Sequence, residues 1–122
     1  MGVKISLCLL IVFLLAVAGS VSGSVIYVDD DSGCGGNSPC YSSIQTAIDA
    51  ANESDTIIVY SGIYNESISI YKQLNLIGND SGEGLPVINA SLSDNAVTIN
   101  ADGTWFEGFN LFKSKKTGIL VT

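Results

Sequence analysis

"SSIQTAIDAANESDTIIVYSGIYNESI", residues 42–68, changes its period partway along. Ile44, Ala47, Ile48 and Ala51 stand at i, i+3, i+4 and i+7, the spacing of one helix face. From Thr56 the period shortens towards that of a strand, and no later segment regains helical spacing. Ser42 with Gln45 has the form of a capping box, and Asn52 with Ser54 supplies a stop. The chain therefore builds one short helix and then only strands.

Those strands come as short apolar bursts. They are TIIVY (56–60), SISIY (67–71), LNLIG (74–78), PVINA (86–90), AVTIN (96–100), WFEGFNLF (105–112) and GILVT (118–122). Each is of strand length and is fenced by Gly, Asn, Asp or Ser. Their spacing predicts two interleaved series. One runs through Leu74/Leu76, Val97/Ile99 and Ile119/Val121 in steps of 23 and 22, with Ile57/Val59 standing 17 before it. The other runs through Ile68/Ile70, Val87 and Phe109/Leu111 in steps of 19 and 22. A period near 22 that holds two or more short strands is one coil of a solenoid rather than a hairpin. Stacked coils place their apolar residues in inward ladders, with turns such as GND (78–80) and SDN (93–95) between them. The first coil of such a stack would expose apolar side chains and unpaired backbone groups. The helix is expected to lie across that end as a lid.

These residues carry a resemblance. IQTAIDAANESDTIIVYSGIYNESISIYKQLNLIG (44–78) is similar to the N-terminal signature of right-handed parallel β-helix proteins of the pectin-lyase-like superfamily. The match comprises the helix, the DTIIV strand, the turn Gly62–Tyr64 with the following Glu66, and the LNLIG strand. FEGFNLFKSKKTGILVT (106–122) resembles the repeat such proteins iterate. With the leading IYVDDDSGCGGNSPCYSSIQ (26–45), the likeness is to archaeal secreted or cell-surface proteins of this type. The resemblance implies an all-β fold, a right-handed parallel β-helix of about three coils with an N-terminal capping helix. It does not imply one activity, because the fold hosts lyases, hydrolases, epimerases and binding modules.

Residues 1–23 read as a secretory signal. Lys4 is followed by a strongly apolar run from Ile5 to Ala18 and then by small residues. That run falls short of the roughly 20 residues that span a bilayer. Cleavage would leave one domain, 24–122, with no stable membrane span; a retained signal would act as an anchor. Cys8 leaves with the signal. The remainder has 4 Lys against 12 acidic residues, a net charge of −8 (4 − 12), and neither Arg nor His. Nucleic acid is an unsuitable partner for such a chain, because phosphate contacts need cations. Secretion or display at the cell surface suits the acidity.

Cys34 and Cys40 remain, separated by a Gly, Asn, Ser and Pro loop. In an exported chain the default is a local disulfide, and a two-Cys metal site would lack its other ligands. Asp29-Asp30-Asp31 raises the question of calcium, for which Asp29 and Asp31 are the candidate ligands, with Ser32 and backbone carbonyls. Three consecutive Asp are not expected all to converge. The copper binding described for some relatives does not transfer to a chain without His.

The lyases of this superfamily imply acidic calcium ligands with an Arg or Lys base, and the hydrolases imply clustered Asp with His and Arg. Lys72, Lys113, Lys115 and Lys116 have no acidic company of that kind in sequence, so no catalytic residue is assigned and the chain is not expected to be an enzyme. Tyr60, Tyr71 and Trp105 are candidates for stacking on sugar rings, with Tyr64 filling a turn. Asn52, Asn65, Asn79 and Asn89 each begin an N-x-Ser glycosylation acceptor, whereas Asn37-Ser38-Pro39 does not qualify. The first three fall in expected turns.

The expected function is an exported structural or carbohydrate-binding module with cell-surface polysaccharide or another surface protein as partner. Two alternatives stand beside it. The chain is the non-catalytic front of a polysaccharide lyase or hydrolase, or it pairs end to end through an open last coil at Gly118–Val121. The same open coil suggests a chain that continues beyond residue 122.

Overall fold

The computed structural model describes residues 23–122, so the signal segment lies outside the described residues apart from its last position. Strand β1 (Val25–Val28) leads through a 3-10 turn at Cys34–Gly36 to β2 (Cys40–Tyr41) and helix α1 (Ile44–Ala50). Nine strands follow: β3 (Thr56–Tyr60), β4 (Ile63–Tyr64), β5 (Ile68–Ile70), β6 (Asn75–Asn79), β7 (Val87–Asn89), β8 (Asn95–Ile99), β9 (Trp105–Glu107), β10 (Asn110–Phe112) and β11 (Thr117–Val121). Every strand pairing among the described residues is parallel. Three sheets result, with orders β2-β1-β3-β6-β9, β10-β7-β4 and β11-β8-β5. From β3 onward the chain visits the first, second and third sheet in turn, three times over.

The inward side chains of each sheet stack in rungs. In the first sheet Ile26, Ile57, Leu76 and Phe106 are in register, and in the second Tyr64, Ile88 and Leu111. In the third, Ile68, Val97 and Ile119 stack beside Ile70, Ile99 and Val121. The expected ladders therefore need correcting. Val97/Ile99 lie on Ile68/Ile70, not on Leu74/Leu76, and there are three families of rungs rather than two. The cause is unequal turns: Ile57 to Leu76 is 19 residues, while Leu76 to Phe106 is 30. Register follows which side chains enter the core, and surface turns absorb the surplus residues. Similar sequence spacing did not mean the same sheet.

Burial is complete at the start of this stack and fades along it. Val28, Ile44, Ile48, Ile57, Val59, Ile70, Leu76 and Ile88 are fully buried. Each fully buried aliphatic side chain of this size contributes about 1.5–3 kcal/mol. Phe106, Phe109 and Leu111 are only partly covered, and Val121 is 70% exposed.

Helix α1 lies where the sequence placed it, with Ile44, Ala47, Ile48 and Ala51 buried, but it is held in an unexpected way. Its N-cap is Ser43 rather than Ser42. The Ser43 hydroxyl accepts from Thr46 N–H and donates to Glu66 Oε1 at 3.1 Å. The same Glu66 carboxylate accepts from the N–H groups of Ile44 (3.0 Å) and Gln45 (2.9 Å). At the other end Lys72 Nζ donates to the carbonyls of Ile48, Asp49 and Ala51. An anion at the N-terminus and a cation at the C-terminus complement both the unpaired helix groups and the dipole.

Between these two clamps lies β5, the edge strand of the third sheet. Ser69 N–H donates to Gln45 Oε1 at 2.8 Å, and Ser69 C=O accepts from Gln45 Nε2 at 3.3 Å. The Gln45 amide thus replaces the peptide of a missing neighbouring strand instead of closing a capping box. Asp30 does a related job on the second sheet, where its Oδ2 accepts from Ile63 N–H of edge strand β4 at 3.2 Å.

Removing the Glu66 carboxylate leaves two helix N–H groups and one hydroxyl without their acceptor. Glu66→Ala is expected to cost about 2 kcal/mol of stability, in the range for a lost cap with charged hydrogen bonds. Glu66→Gln, which keeps one acceptor oxygen, should cost clearly less. Urea titration followed by circular dichroism measures both, and equal losses would contradict the clamp.

Candidate functional site

At the end of β1 alternation stops, because the chain turns back through positive-φ residues, Ser32 at φ 63° and Cys34 at φ 47°. The turn gathers all three acids: one oxygen from each of Asp29, Asp30 and Asp31 lies within 4.8 Å of the others. The expectation that three consecutive Asp do not all converge is corrected here, because the turn through Ser32 and Cys34 brings Asp30 beside the other two. The triad forms one side of a cleft of about 480 Å³, lined also by Tyr60, Ser61, Asn79, Ser81 and Glu83.

Another part of the cleft lining is a loop held by polar contacts. Ser61, only 7% exposed, donates its hydroxyl to Gly84 C=O and accepts from Ser81 N–H, while Ser61 N–H donates to Ser81 Oγ at 3.0 Å. Asp80 Oδ1 accepts from Gly82 and Gly84 N–H, and these two bonds hold the Asp80 carboxyl below its ordinary value. Ser61 and Glu83 were not singled out from the sequence. Nothing in their local pattern marks them, because their positions depend on a loop that folds back across sheet neighbours.

The triad is all oxygen and carboxylate rich, a donor set suited to a hard cation such as calcium. Each carboxylate also has a structural partner: Asp29 accepts from Cys34 N–H, Asp30 from Ile63 N–H and Asp31 from Gly33 N–H. Those three bonds account for where the carboxylates sit without an ion. Asp29 titrates above the ordinary Asp value, first because partial burial disfavours its charge and then through repulsion by Asp31. Tyr64 is pushed well above the ordinary Tyr value by burial and by the charges of Asp29 and Asp30. Its hydroxyl donates to Tyr60 C=O at 2.8 Å, so it remains a neutral donor filling the corner, as the sequence suggested.

The aromatic candidates do not form one platform. Tyr60 lines the cleft, with its ring 6.2 Å from that of Tyr27 and its hydroxyl accepting from Asn37 Nδ2. Trp105 is 58% exposed on β9 and pairs with Asn75, at the end of β6 away from Asn79, the partner of Tyr60. Tyr71 is exposed beyond β5, where its hydroxyl donates to Asp49 Oδ1 at 2.8 Å. Cys34 and Cys40 are joined, with their Cα atoms 6.0 Å apart, in a bond that closes the loop between β1 and β2. Asn52, Asn65 and Asn79 are exposed, whereas Asn89 is half-buried. Among the described residues no helix is long and apolar enough to cross a membrane.

Comparison with known proteins gives one informative likeness. The chain is 38% identical over 81 residues to a cell surface glycoprotein of Methanothermus fervidus. The match takes in 64% of this chain but only 13% of that protein's length. No protein-family model matches, and no solved structure matches. The likeness agrees with a chain carried to the cell surface.

The sign of the Asp29 effect follows from its raised titration. Between the unfolded value and the higher folded value the native state holds the extra proton, so stability falls as pH rises through that window. Asp29→Asn keeps an acceptor for Cys34 N–H and removes the charge. Its thermal midpoint should exceed that of the parent at pH 7 in EDTA, with the gap closing at about pH 4, near the ordinary Asp value. A variant less stable than the parent at pH 7 in EDTA would show that the charge itself holds the turn.

Proposed function

We propose that this chain is an exported structural module of the cell surface, built as a right-handed parallel β-helix and without a catalytic site of its own. The observation that carries the reading is the cyclic order of the sheets: β3 to β11 enter three parallel sheets in the same sequence three times. One coil per three strands is the simplest path that produces that order. The similarity to an archaeal cell surface glycoprotein supports the location. The acidic exterior and the disulfide fit an oxidising, extracellular setting. Contact with surface polysaccharide through Tyr60, Tyr71 or Trp105 belongs to the same reading at separate points. The rival, the non-catalytic front of a polysaccharide lyase or hydrolase, has only the shared fold type in its favour. Antibody raised against residues 24–122 should label intact cells of the source organism as strongly as permeabilised ones. Label that needs permeabilisation would place the chain inside and end this reading.

One observation favours a second reading, in which two copies pair through the rim. Phe112, Ile119, Leu120 and Val121 are 50%, 42%, 38% and 70% exposed on β10 and β11, strands that each have one edge without a partner among the described residues. Such an edge is a template for strand addition. In that case purified 24–122 should sediment as a dimer, and Ile119→Lys or Val121→Lys should return it to a monomer. A parent chain that sediments as a folded monomer would remove the reading.

A further inference from the structure

The four N-x-Ser acceptors separate into two pairs once they are placed on the fold. Asn65 directly follows β4 and Asn89 ends β7, and the register Tyr64 to Ile88 stacks one over the other. Asn89 Nδ2 donates to Asn65 Oδ1 at 2.9 Å. Asn89 Oδ1 is itself buried and has no partner among the described residues. Both acceptor triplets, Asn65-Glu66-Ser67 and Asn89-Ala90-Ser91, line a single crevice of about 250 Å³. Within it Glu66 is committed to the start of α1.

Glycan attachment replaces a hydrogen on Asn Nδ2 with a sugar. At Asn89 that nitrogen is the donor to Asn65 and the residue is half-buried, so a sugar there would take one of the two hydrogens of the donor and crowd the bond. At Asn65 a sugar would leave from an amide held against Asn89, only about one strand spacing, 4.8 Å, away. At both positions the amide is fixed by the Asn65–Asn89 bond, and it cannot turn to meet a sugar donor without breaking that bond.

Asn52 and Asn79 are differently placed. Asn52 is exposed just after α1, where its backbone forms a tight turn with Asp55 and its side chain takes no part. Asn79 is exposed at the last position of β6, on the open lip of the acidic cleft. Among the described residues neither side-chain amide makes a hydrogen bond, so a sugar on Nδ2 displaces no contact.

We infer that Asn52 and Asn79 are the N-glycosylation sites of this protein, and that Asn65 and Asn89 stay unmodified because they are bound to each other. The inference rests on the reading of the chain as exported. Its chemistry forms a bond from Asn Nδ2 to the sugar C1 of a lipid-phosphate-linked oligosaccharide while the C1–O bond to the phosphate breaks; the lipid phosphate leaves, and the displaced Nδ2 proton passes to a base of the host's transferase.

The test is glycopeptide mapping of the full chain, signal included, made in an archaeal host that N-glycosylates its surface proteins. Cell surface and cell interior fractions are analysed separately. Surface material should carry sugar at Asn52 and Asn79 alone. Asn52→Gln and Asn79→Gln should each remove one glycan from the intact mass, and the double variant should remove all of it. Ser67→Ala and Ser91→Ala abolish the other two acceptors while leaving Asn65 and Asn89 in place, and they should leave the mass of sugar unchanged. Surface material with sugar on Asn65 or Asn89, or with Asn52 or Asn79 bare, overturns this inference and leaves the surface reading intact. A chain found only inside the cell, without sugar, overturns both.

Discussion

The fold depends on closing one edge. A stack of parallel strands has to begin somewhere, and its first strands present backbone groups with no partner. Here the solution on the third sheet is Gln45, whose side-chain amide bonds to both backbone groups of Ser69 on β5. That bond needs α1 to sit at a fixed height and rotation. Glu66 and Lys72, which flank β5 in the chain, fix both by holding the two ends of the helix. The strand therefore carries its own clamps. The seven-residue helix is too short to be stable alone, and its order derives from these contacts and from its buried face.

Polar closure continues around the same end. Asp30 accepts from the β4 edge, and Asp55, only 4% exposed, accepts from Ser24 and Asn52 N–H, joining the start of β1 to the turn after α1. On the first sheet a true strand, β2, does the covering, and the 34–40 disulfide fixes the loop that brings it there. So small a loop removes little entropy from the unfolded chain, and local placement is its main effect. Two side chains and one short strand thus terminate three sheets.

Much of this was legible in the sequence, and the part that was not has a common cause. The helix face at Ile44, Ala47, Ile48 and Ala51 and most strands showed through periodicity, which depends only on near neighbours. The pairing of rungs did not, because it depends on how many residues each turn absorbs. Leu74/Leu76 and Val97/Ile99 looked like one ladder at a step of 23 and belong to different sheets. The cleft was hidden for the same reason, since Ser61, Ser81 and Glu83 meet Asp29–Asp31 only after the strands are in register. The convergence of Asp30 with Asp29 and Asp31 follows from the turn through Ser32 and Cys34, which periodicity does not show. S-x-x-Q is a local motif and points to Gln45 as a local cap, whereas the Gln45 side chain bonds Ser69, 24 residues away.

The two ends of the stack are therefore built from different chemistry. Around β1, β4, β5 and α1 the unpaired backbone groups are met by carboxylates, an amide and a lysine, each bonded to particular N–H or C=O groups. Around β9, β10 and β11 the outermost rungs are apolar, formed by Phe106, Leu111, Ile119 and Val121, and they are only partly covered. Polar closure is directional and is satisfied once its bonds are made, so it resists further strands. Apolar rungs with a free backbone edge gain by burial against any strand that repeats the spacing. If strands are added to this structure, whether from the same chain or another, the polar end is the one that excludes them and the β9–β11 rim is the one that receives them.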